Sequence, residues 1–318
     1  MTSANTSVAA VLSALSGKDF LSSADATAEQ TAALLELASQ LKSGDRRIDL
    51  GNRVLGLIFT KASTRTRVSF QVAMARLGGQ TVDLNPQVTQ LGRGEPLEDT
   101  ARVLSRFCDV LAIRTFAQQE LADYAHWASI PVINALTDLE HPCQALADFL
   151  TMQEAFGDLH GQTLTYVGDG NNVAHSLMLC GALLGVNVRI ACPDGFEPLP
   201  GVLDQARSLA VGGAEISVTG DPMAAVAGAQ AIYTDVWASM GQEQEQLERE
   251  QAFQGFCVNE ELVAKADSGA IVLHCLPAHR GEEISAGVME GSASRIFDQA
   301  ENRLHAQQAL LAALLGGL

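Results

Sequence analysis

The sequence predicts an α/β protein of two domains, each a parallel sheet with helices on both faces, and three observations carry that prediction. The chain has 318 residues, more than one ordinary core accommodates. Short apolar runs alternate with amphipathic segments along most of it, the pattern of parallel strands joined by crossover helices. Between two such alternations lies Gly157-Asp158-Leu159-His160-Gly161, a polar turn bracketed by glycines and therefore a joint. The expected domains are residues 1–156, completed by a C-terminal helix over 299–318, and residues 157–298.

The first segment, over 27–41, reads as a helix. Thr27 and Gln30 suit a capping box, and Leu34, Leu37, Ala38 and Leu41 form its apolar stripe. The run VLGLIF at 54–59 is a buried strand. Phe70, Ala73, Met74 and Leu77 then share one face of a helix closed by Gly78-Gly79. A short strand near 80–84 leads into a polar loop over 85–96 that contains QLGRGE. Helices are expected over 98–107, 118–127 and 144–156, with strands over 109–114 and 131–135. In the second half, strands are expected over 163–167, 186–191, 215–218, 231–234 and 270–274. Helices are expected there over 172–184, 199–210 and 243–253, the glutamates of the last forming a solvated face. A Leu- and Ala-rich helix over 299–315 closes the chain and is expected to pack back on the first domain.

Composition narrows the function classes. Hydrophobic residues make up 47% and charged residues 18%, a globular balance. Against 20 Lys and Arg stand 37 Asp and Glu, which argues against a nucleic-acid partner, because a phosphate backbone needs a basic face. No apolar run approaches the roughly 20 residues of a membrane span. The stretch before Lys18 has no Lys or Arg, which fits neither a secretory signal nor an Arg-rich transit peptide. Six cysteines, with no CxxC or metal-ligand spacing, read as reduced thiols in a cytoplasmic protein.

In open parallel sheets, ligands bind beyond the carboxyl ends of the strands. The chemistry-bearing residues gather there: 63–67, Arg114, His141, 168–172, Asp235 and Cys275. Ends contributed by both halves of the chain point to one interdomain cleft. The densest group is Lys61-Ala62-Ser63-Thr64-Arg65-Thr66-Arg67, at a strand-to-helix junction. From Gly51 to Val82 there are five basic residues and no acidic one, in a chain of net charge −17. A cap needs one hydroxyl, whereas three hydroxyls beside three cations at a helix N-terminus make an anion site.

These residues carry a resemblance. STRTR (63–67), HPCQ (141–144), GDGNN (168–172), DVWASMG (235–241), HCLPAHRG (274–281) and ENRLHA (301–306) stand in the order and spacing of the carbamoyltransferase family, over nearly the whole chain. STRTR and HPxQ resemble the carbamoyl-phosphate half shared by aspartate- and ornithine-specific members. The Asp235-to-Gly241 loop and HCLP resemble the ornithine-specific branch, and aspartate enzymes lack both.

The resemblance implies two α/β domains, one for carbamoyl phosphate and one for the amino acid, assembled as homotrimers or multiples of trimers. It implies that Ser63, Thr64, Arg65 and Thr66 hold the phosphate, Arg suiting this because its planar fork can bind two phosphate oxygens. Arg114 and Arg303 would add further contacts, with Gln90 contributed in related enzymes by a neighbouring subunit. His141 would donate to the carbamoyl oxygen as charge develops, together with Arg114 and Thr66, an oxyanion-hole arrangement. Gln144 would bind the carbamoyl NH₂, while Cys143 is structural. Asn172, Asp235, Ser239 and Met240 would bind ornithine, with Gly241 a hinge. Cys275, as thiol or thiolate, would help position the substrate amine and take up a proton. Leu276 would present its backbone carbonyl, and both residues would also border carbamoyl phosphate. The implied reaction is citrulline formation in arginine biosynthesis, from L-ornithine and carbamoyl phosphate, with no metal or redox cofactor.

Three readings compete. Another amine, such as putrescine or N-acetylornithine, could be the acceptor. An NAD-linked oxidoreductase would use Gly168-x-Gly170 as a dinucleotide loop with Asp194 beyond the next strand. Against that, the third glycine position is Val173 and the basic phosphate site lies elsewhere. A non-catalytic binding subunit is hard to square with so complete a set of cleft residues. By residue chemistry alone, Cys275 could also be a small core residue or a covalent nucleophile, and Arg303 a surface helix cation.

Overall fold

The computed structural model describes residues 7–61, 63–85, 94–238 and 246–318. The elements, in chain order, are α1 (Val8–Leu12), α2 (Ala28–Ser43), β1 (Val54–Phe59), α3 (Thr64–Arg76), β2 (Gln80–Leu84), α4 (Leu97–Leu104), β3 (Val110–Arg114), α5 (Gln118–Trp127), β4 (Val132–Leu136) and α6 (Pro142–Phe156). There follow β5 (Thr163–Val167), α7 (Asn172–Leu183), β6 (Asn187–Ala191), α8 (Pro200–Leu209), β7 (Ile216–Thr219), α9 (Pro222–Val226), β8 (Ala231–Thr234), α10 (Gln246–Ala252), α11 (Glu260–Val263), β9 (Ile271–His274), α12 (Ala286–Met289) and α13 (Ile296–Leu314). Gln90, Ser239 and Met240 lie outside the described residues.

One sheet has the order β2-β1-β3-β4 and the other β7-β6-β5-β8-β9, with every pairing parallel. The alternation of strand and helix dictates this, because a parallel neighbour can be reached only through a crossover. The central strands are buried on both faces: β1 from its second residue onward and β5 throughout. On the edge, β2 is largely exposed and polar, as an edge strand should be.

The helices follow their stripes. In α2, Thr27 and Gln30 form the expected capping box, and Gly44 ends the helix at φ 82°, a left-handed C-cap that favours glycine. In α3, Phe70, Ala73, Met74 and Leu77 are all fully buried. Four short helices, α1, α9, α11 and α12, were not foreseen; at four or five residues they are too brief to show a helical period.

By compactness the chain divides into Met1–Leu146 with Arg303–Leu318, and Ala147–Asn302. Both divisions fall inside helices, α6 and α13. Hydrogen bonds within the second unit link the two. Gln299 Nε2 donates to Asp148 Oδ1 at 2.6 Å, and Asn302 Nδ2 to Thr151 Oγ1 at 3.0 Å and Glu154 Oε2 at 2.8 Å. These tie the later turns of α6 to the start of α13 and place both in the second unit.

Phe70→Ala would empty a fully buried site and should cost about 3–5 kcal/mol. Chemical denaturation should show a lowered midpoint with an unchanged slope; an unmoved midpoint would contradict the packing described for α3.

Candidate active site

In the first unit the polar residues follow the ends of β1, β3 and β4. Ser63 stands at the N-cap of α3 but makes no side-chain capping bond. Its Oγ instead accepts from Arg114 Nη1 at 3.4 Å. Thr66 is fully buried, and its Oγ1 accepts from Arg303 Nη2 at 2.6 Å. Of the three hydroxyls in STRTR, two are therefore held by arginines rather than spent on the helix. Thr64 and Arg65 are exposed on the first turn of α3, where the aligned peptide dipoles are positive.

Arg67 departs from the sequence expectation. It pairs with Asp83 on the neighbouring strand β2, and its guanidinium lies 5.2 Å from the Phe59 ring centroid. Both contacts use Arg67 structurally, whereas Arg65 stands exposed beside the helix start. Arg303 is buried, which excludes the surface-pair alternative.

His141 follows β4, and its carbonyl accepts Gln144 N–H at 3.0 Å, opening α6. The side chain is buried. Burial first, then the Arg303 and Arg114 charges, hold its pKa well below the usual 6.5, so the ring is neutral at physiological pH. A neutral imidazole can donate one N–H hydrogen bond without bringing a further positive charge. Gln144 is buried on the first turn of α6. Cys143 Sγ donates to the Asn134 carbonyl at 3.3 Å. Burial, only partly offset by Arg303, pushes the Cys143 thiol up to about 12, consistent with a structural thiol.

In the second unit the polar residues follow β5, β8 and β9. Asp235 is buried and receives three donors: Cys275 Sγ to Oδ1 at 3.0 Å, Asn171 Nδ2 to Oδ2 at 3.2 Å, and its neighbour Val236 N–H to Oδ1 at 2.8 Å. Burial, followed by the Asp235 charge and hydrogen bond, moves the Cys275 pKa well above its usual 9.0. Cys275 is thus a thiol that donates to Asp235, which decides between the two protonation states left open by the sequence. In that state it is neither a ready proton acceptor nor an activated nucleophile.

The turn after Cys275 is built from His274. Leu276 has φ 61° and precedes a cis Pro277, and its N–H donates to His274 Nδ1 at 2.8 Å. The other ring nitrogen therefore carries the proton and donates to Glu283 Oε1 at 3.0 Å, a tautomer set by its partners. Asp235, His274 and Cys275 bring potential metal-ligand atoms within 4.8 Å of one another. Both His274 nitrogens are already engaged, however, so a metal would have to break this turn to use them.

GDGNN joins β5 to α7. Gly170 N–H donates to the Phe196 carbonyl at 2.8 Å, and a Cβ on Gly170 would collide with the backbone of Glu197 and Pro198. The glycine admits another stretch of chain, not a pyrophosphate, which removes the main support for the dinucleotide reading. Asp169 is paired with Arg249 at 2.7 Å. Asn172 begins α7, half-buried. Asn171, unnoticed in the sequence, caps α7 by accepting from Val173 N–H at 2.9 Å while its amide aims Asp235. The Asx-before-helix pattern could have marked it as a cap, though not as a partner of Asp235.

The chain matches the model of the aspartate/ornithine carbamoyltransferase carbamoyl-P binding domain over residues 18–154, and that of the Asp/Orn binding domain over residues 160–314. It is 83% identical over 318 residues, 100% of both chains, to a protein of Parasynechococcus marenigrum (strain WH8102) named ornithine carbamoyltransferase. It is 84% identical over 311 residues, 98% of both chains, to one of the same name from Prochlorococcus marinus (strain MIT 9313). Among solved structures, ornithine carbamoyltransferase from Pyrococcus furiosus superposes with a TM-score of 0.91 at 49% identity, covering 96% of this chain and 99% of that one. The chain belongs to the aspartate/ornithine carbamoyltransferase family.

Proposed function

We propose that this protein transfers the carbamoyl group of carbamoyl phosphate to the side-chain amine of L-ornithine, giving L-citrulline and phosphate. The observation that carries the choice of acceptor is the buried Asp235 carboxylate with the Cys275 thiol on it, a site of negative charge shaped for a cationic amine. The name shared by the similar proteins supports the same choice.

In this reading the first unit takes carbamoyl phosphate. Ser63, Thr64, Arg65, Thr66 and Arg303 bind the phosphate, Gln144 the carbamoyl NH₂, and Arg114 with neutral His141 the carbonyl oxygen. The second unit takes ornithine through Asn172, Asp235, Cys275 and the Leu276 carbonyl, with Ser239 and Met240 completing the set. A free Lys-like amine has a pKa of about 10.4, and only its neutral form attacks. Its lone pair forms the C–N bond, the C–O bond to phosphate breaks, phosphate leaves with that electron pair, and one N–H proton is released.

Arginine biosynthesis in the cytoplasm and a homotrimer, or a multiple of trimers, complete the proposal. Supporting the compartment, none of the six cysteines forms a disulfide. Supporting assembly, Val68 and Val72 on α3 and Val82 on edge strand β2 are exposed, and Gln90 would reach a neighbouring subunit's site. None of the helices among the described residues is long and apolar enough to cross a membrane.

Purified protein with carbamoyl phosphate should carbamoylate L-ornithine in preference to putrescine or N-acetylornithine. Product with one of those amines alone would reassign the acceptor, and no product with any would sink the reading. Calorimetry of Arg65→Ala should show carbamoyl-phosphate affinity reduced roughly 10- to 100-fold, the worth of a charge-assisted hydrogen bond. In Cys275→Ser the loss should fall on ornithine use, with carbamoyl-phosphate affinity little changed.

His141→Gln should lose about 10²- to 10³-fold in kcat, as on removal of an oxyanion donor. Stability gives a second measurement. The folded His141 binds its proton more weakly than the unfolded residue, whose pKa is near 6.5. Its contribution to stability is therefore present above pH 6.5 and is lost as pH falls from there through the folded value. Denaturation midpoints between pH 7 and pH 5 should fall less steeply in His141→Gln than in the wild type; parallel curves would refute the neutral buried imidazole.

A further inference from the structure

The segment between α1 and α2 runs beside β4. Phe20 N–H donates to the Val132 carbonyl and Asn134 N–H to the Phe20 carbonyl, both at 2.8 Å, while Asp19 Oδ1 accepts Val132 N–H at 2.8 Å. From that edge the chain turns at Ser22-Ser23 and takes hold of Glu140. Ser22 Oγ donates to Glu140 Oε1 at 2.5 Å, and Ser23 N–H to Oε2 at 3.0 Å. Glu140 is 2% exposed and Ser23 4%. Burying a carboxylate this far is costly unless both oxygens are hydrogen-bonded, and this turn supplies a donor to each.

The far side of the Glu140 turn is held as well. Glu140 N–H donates to Thr137 Oγ1 at 3.2 Å, and Thr137 Oγ1 in turn donates to Gln118 Oε1 at 2.6 Å. Asn134 Nδ2 closes the network on the Leu21 carbonyl at 2.9 Å. His141 stands between this anchor and the first turn of α6, with no residue of slack on either side.

We propose that Glu140, clamped by the Ser22-Ser23 turn, is a positioning residue that fixes the His141 imidazole for catalysis. The N-terminal segment from Asp19 to Asp25 thereby becomes part of the active-site apparatus, although it bears none of the motif residues. The inference rests on the reading of His141 as the donor to the carbamoyl oxygen.

The test compares full-length Glu140→Gln, Ser22→Ala and Ser22→Thr with wild type and His141→Gln, assayed for citrulline well below each variant's unfolding midpoint. A misplacement of about 1 Å can cost on the order of 10²-fold. Glu140→Gln and Ser22→Ala should accordingly lose roughly 10- to 100-fold in kcat with the KM for ornithine within about twofold. Ser22→Thr, which keeps the hydroxyl, should restore most of the rate. The two losses should also be non-additive in the double variant. Should Glu140→Gln not fold, Ser22→Ala with its Thr rescue decides alone. Wild-type kcat in folded Glu140→Gln or Ser22→Ala, beside an impaired His141→Gln, would overturn this inference alone. A fully active His141→Gln would overturn the reading of His141 beneath it.

Discussion

The hydrogen bond from Arg303 to Thr66 joins residues 237 positions apart, and the first half-site depends on it. A guanidinium as buried as Arg303 is expensive unless its donors are matched. Thr66 matches one of them on the first turn of α3. The same charge reaches His141, where with Arg114 it adds to burial in keeping the imidazole neutral. In the proposed reading one cation both completes an anion cradle and adds to burial in keeping the neighbouring donor neutral. Gathering Arg114 and Arg303 near one ring is electrostatically unfavourable in isolation. In the proposed reading a doubly charged phosphate would turn that repulsion into affinity, so the cost of assembling the cradle and the reason for it would be the same interaction.

The second half-site of the proposed reading rests on a carboxylate aimed by neutral donors. Asn171, Cys275 and the Val236 amide each give Asp235 a hydrogen bond, and none of them brings a neutralising charge. A cationic amine can then meet the Asp235 charge rather than compete with a built-in ion pair. Cys275 fits this logic only as a thiol; as a thiolate it would place a second negative charge against Asp235, which is why its pKa rises. The buried rings of Tyr166 and Tyr233 stack 5.8 Å apart at their centroids, and the Tyr166 hydroxyl donates to Asn171 Oδ1 at 3.4 Å.

Much of the fold was legible because the residues that build it are periodic. The 118–127 helix and the 163–167 and 231–234 strands agree with the sequence expectation at both ends, where apolar patterns begin and stop cleanly. Residues whose roles are set by distant partners were less legible. Arg67 counted in the sequence as an anion-site cation, but β2 brings Asp83 against it, and no local spacing reports a neighbouring strand's register. Asn171, Arg249 and Glu140 went unread in the sequence, because their roles are set by Asp235, Asp169 and Ser22, all distant in the chain. Arg303 was identified only through the family's ENR pattern, since its partner Thr66 lies near the other end of the chain.

The Gly168-x-Gly170 turn shows what decides such ambiguous motifs. A dinucleotide loop and a chain-crossing turn demand the same thing of the sequence, a position without a Cβ after a parallel strand. They differ in what fills the space that the Cβ would have taken. At Gly170 that space holds the backbone of Glu197 and Pro198, and the Gly170 amide is committed to the Phe196 carbonyl. Asp169 is likewise committed to Arg249, which also donates to the Trp237 carbonyl at 2.9 Å and lies 5.0 Å from the Phe196 ring centroid. The turn is therefore a packing junction that sets Asn171 against Asp235 and Asn172 at the head of α7. In the proposed reading this turn serves the amino-acid half-site, and phosphate recognition falls to the arginines and hydroxyls of the other unit.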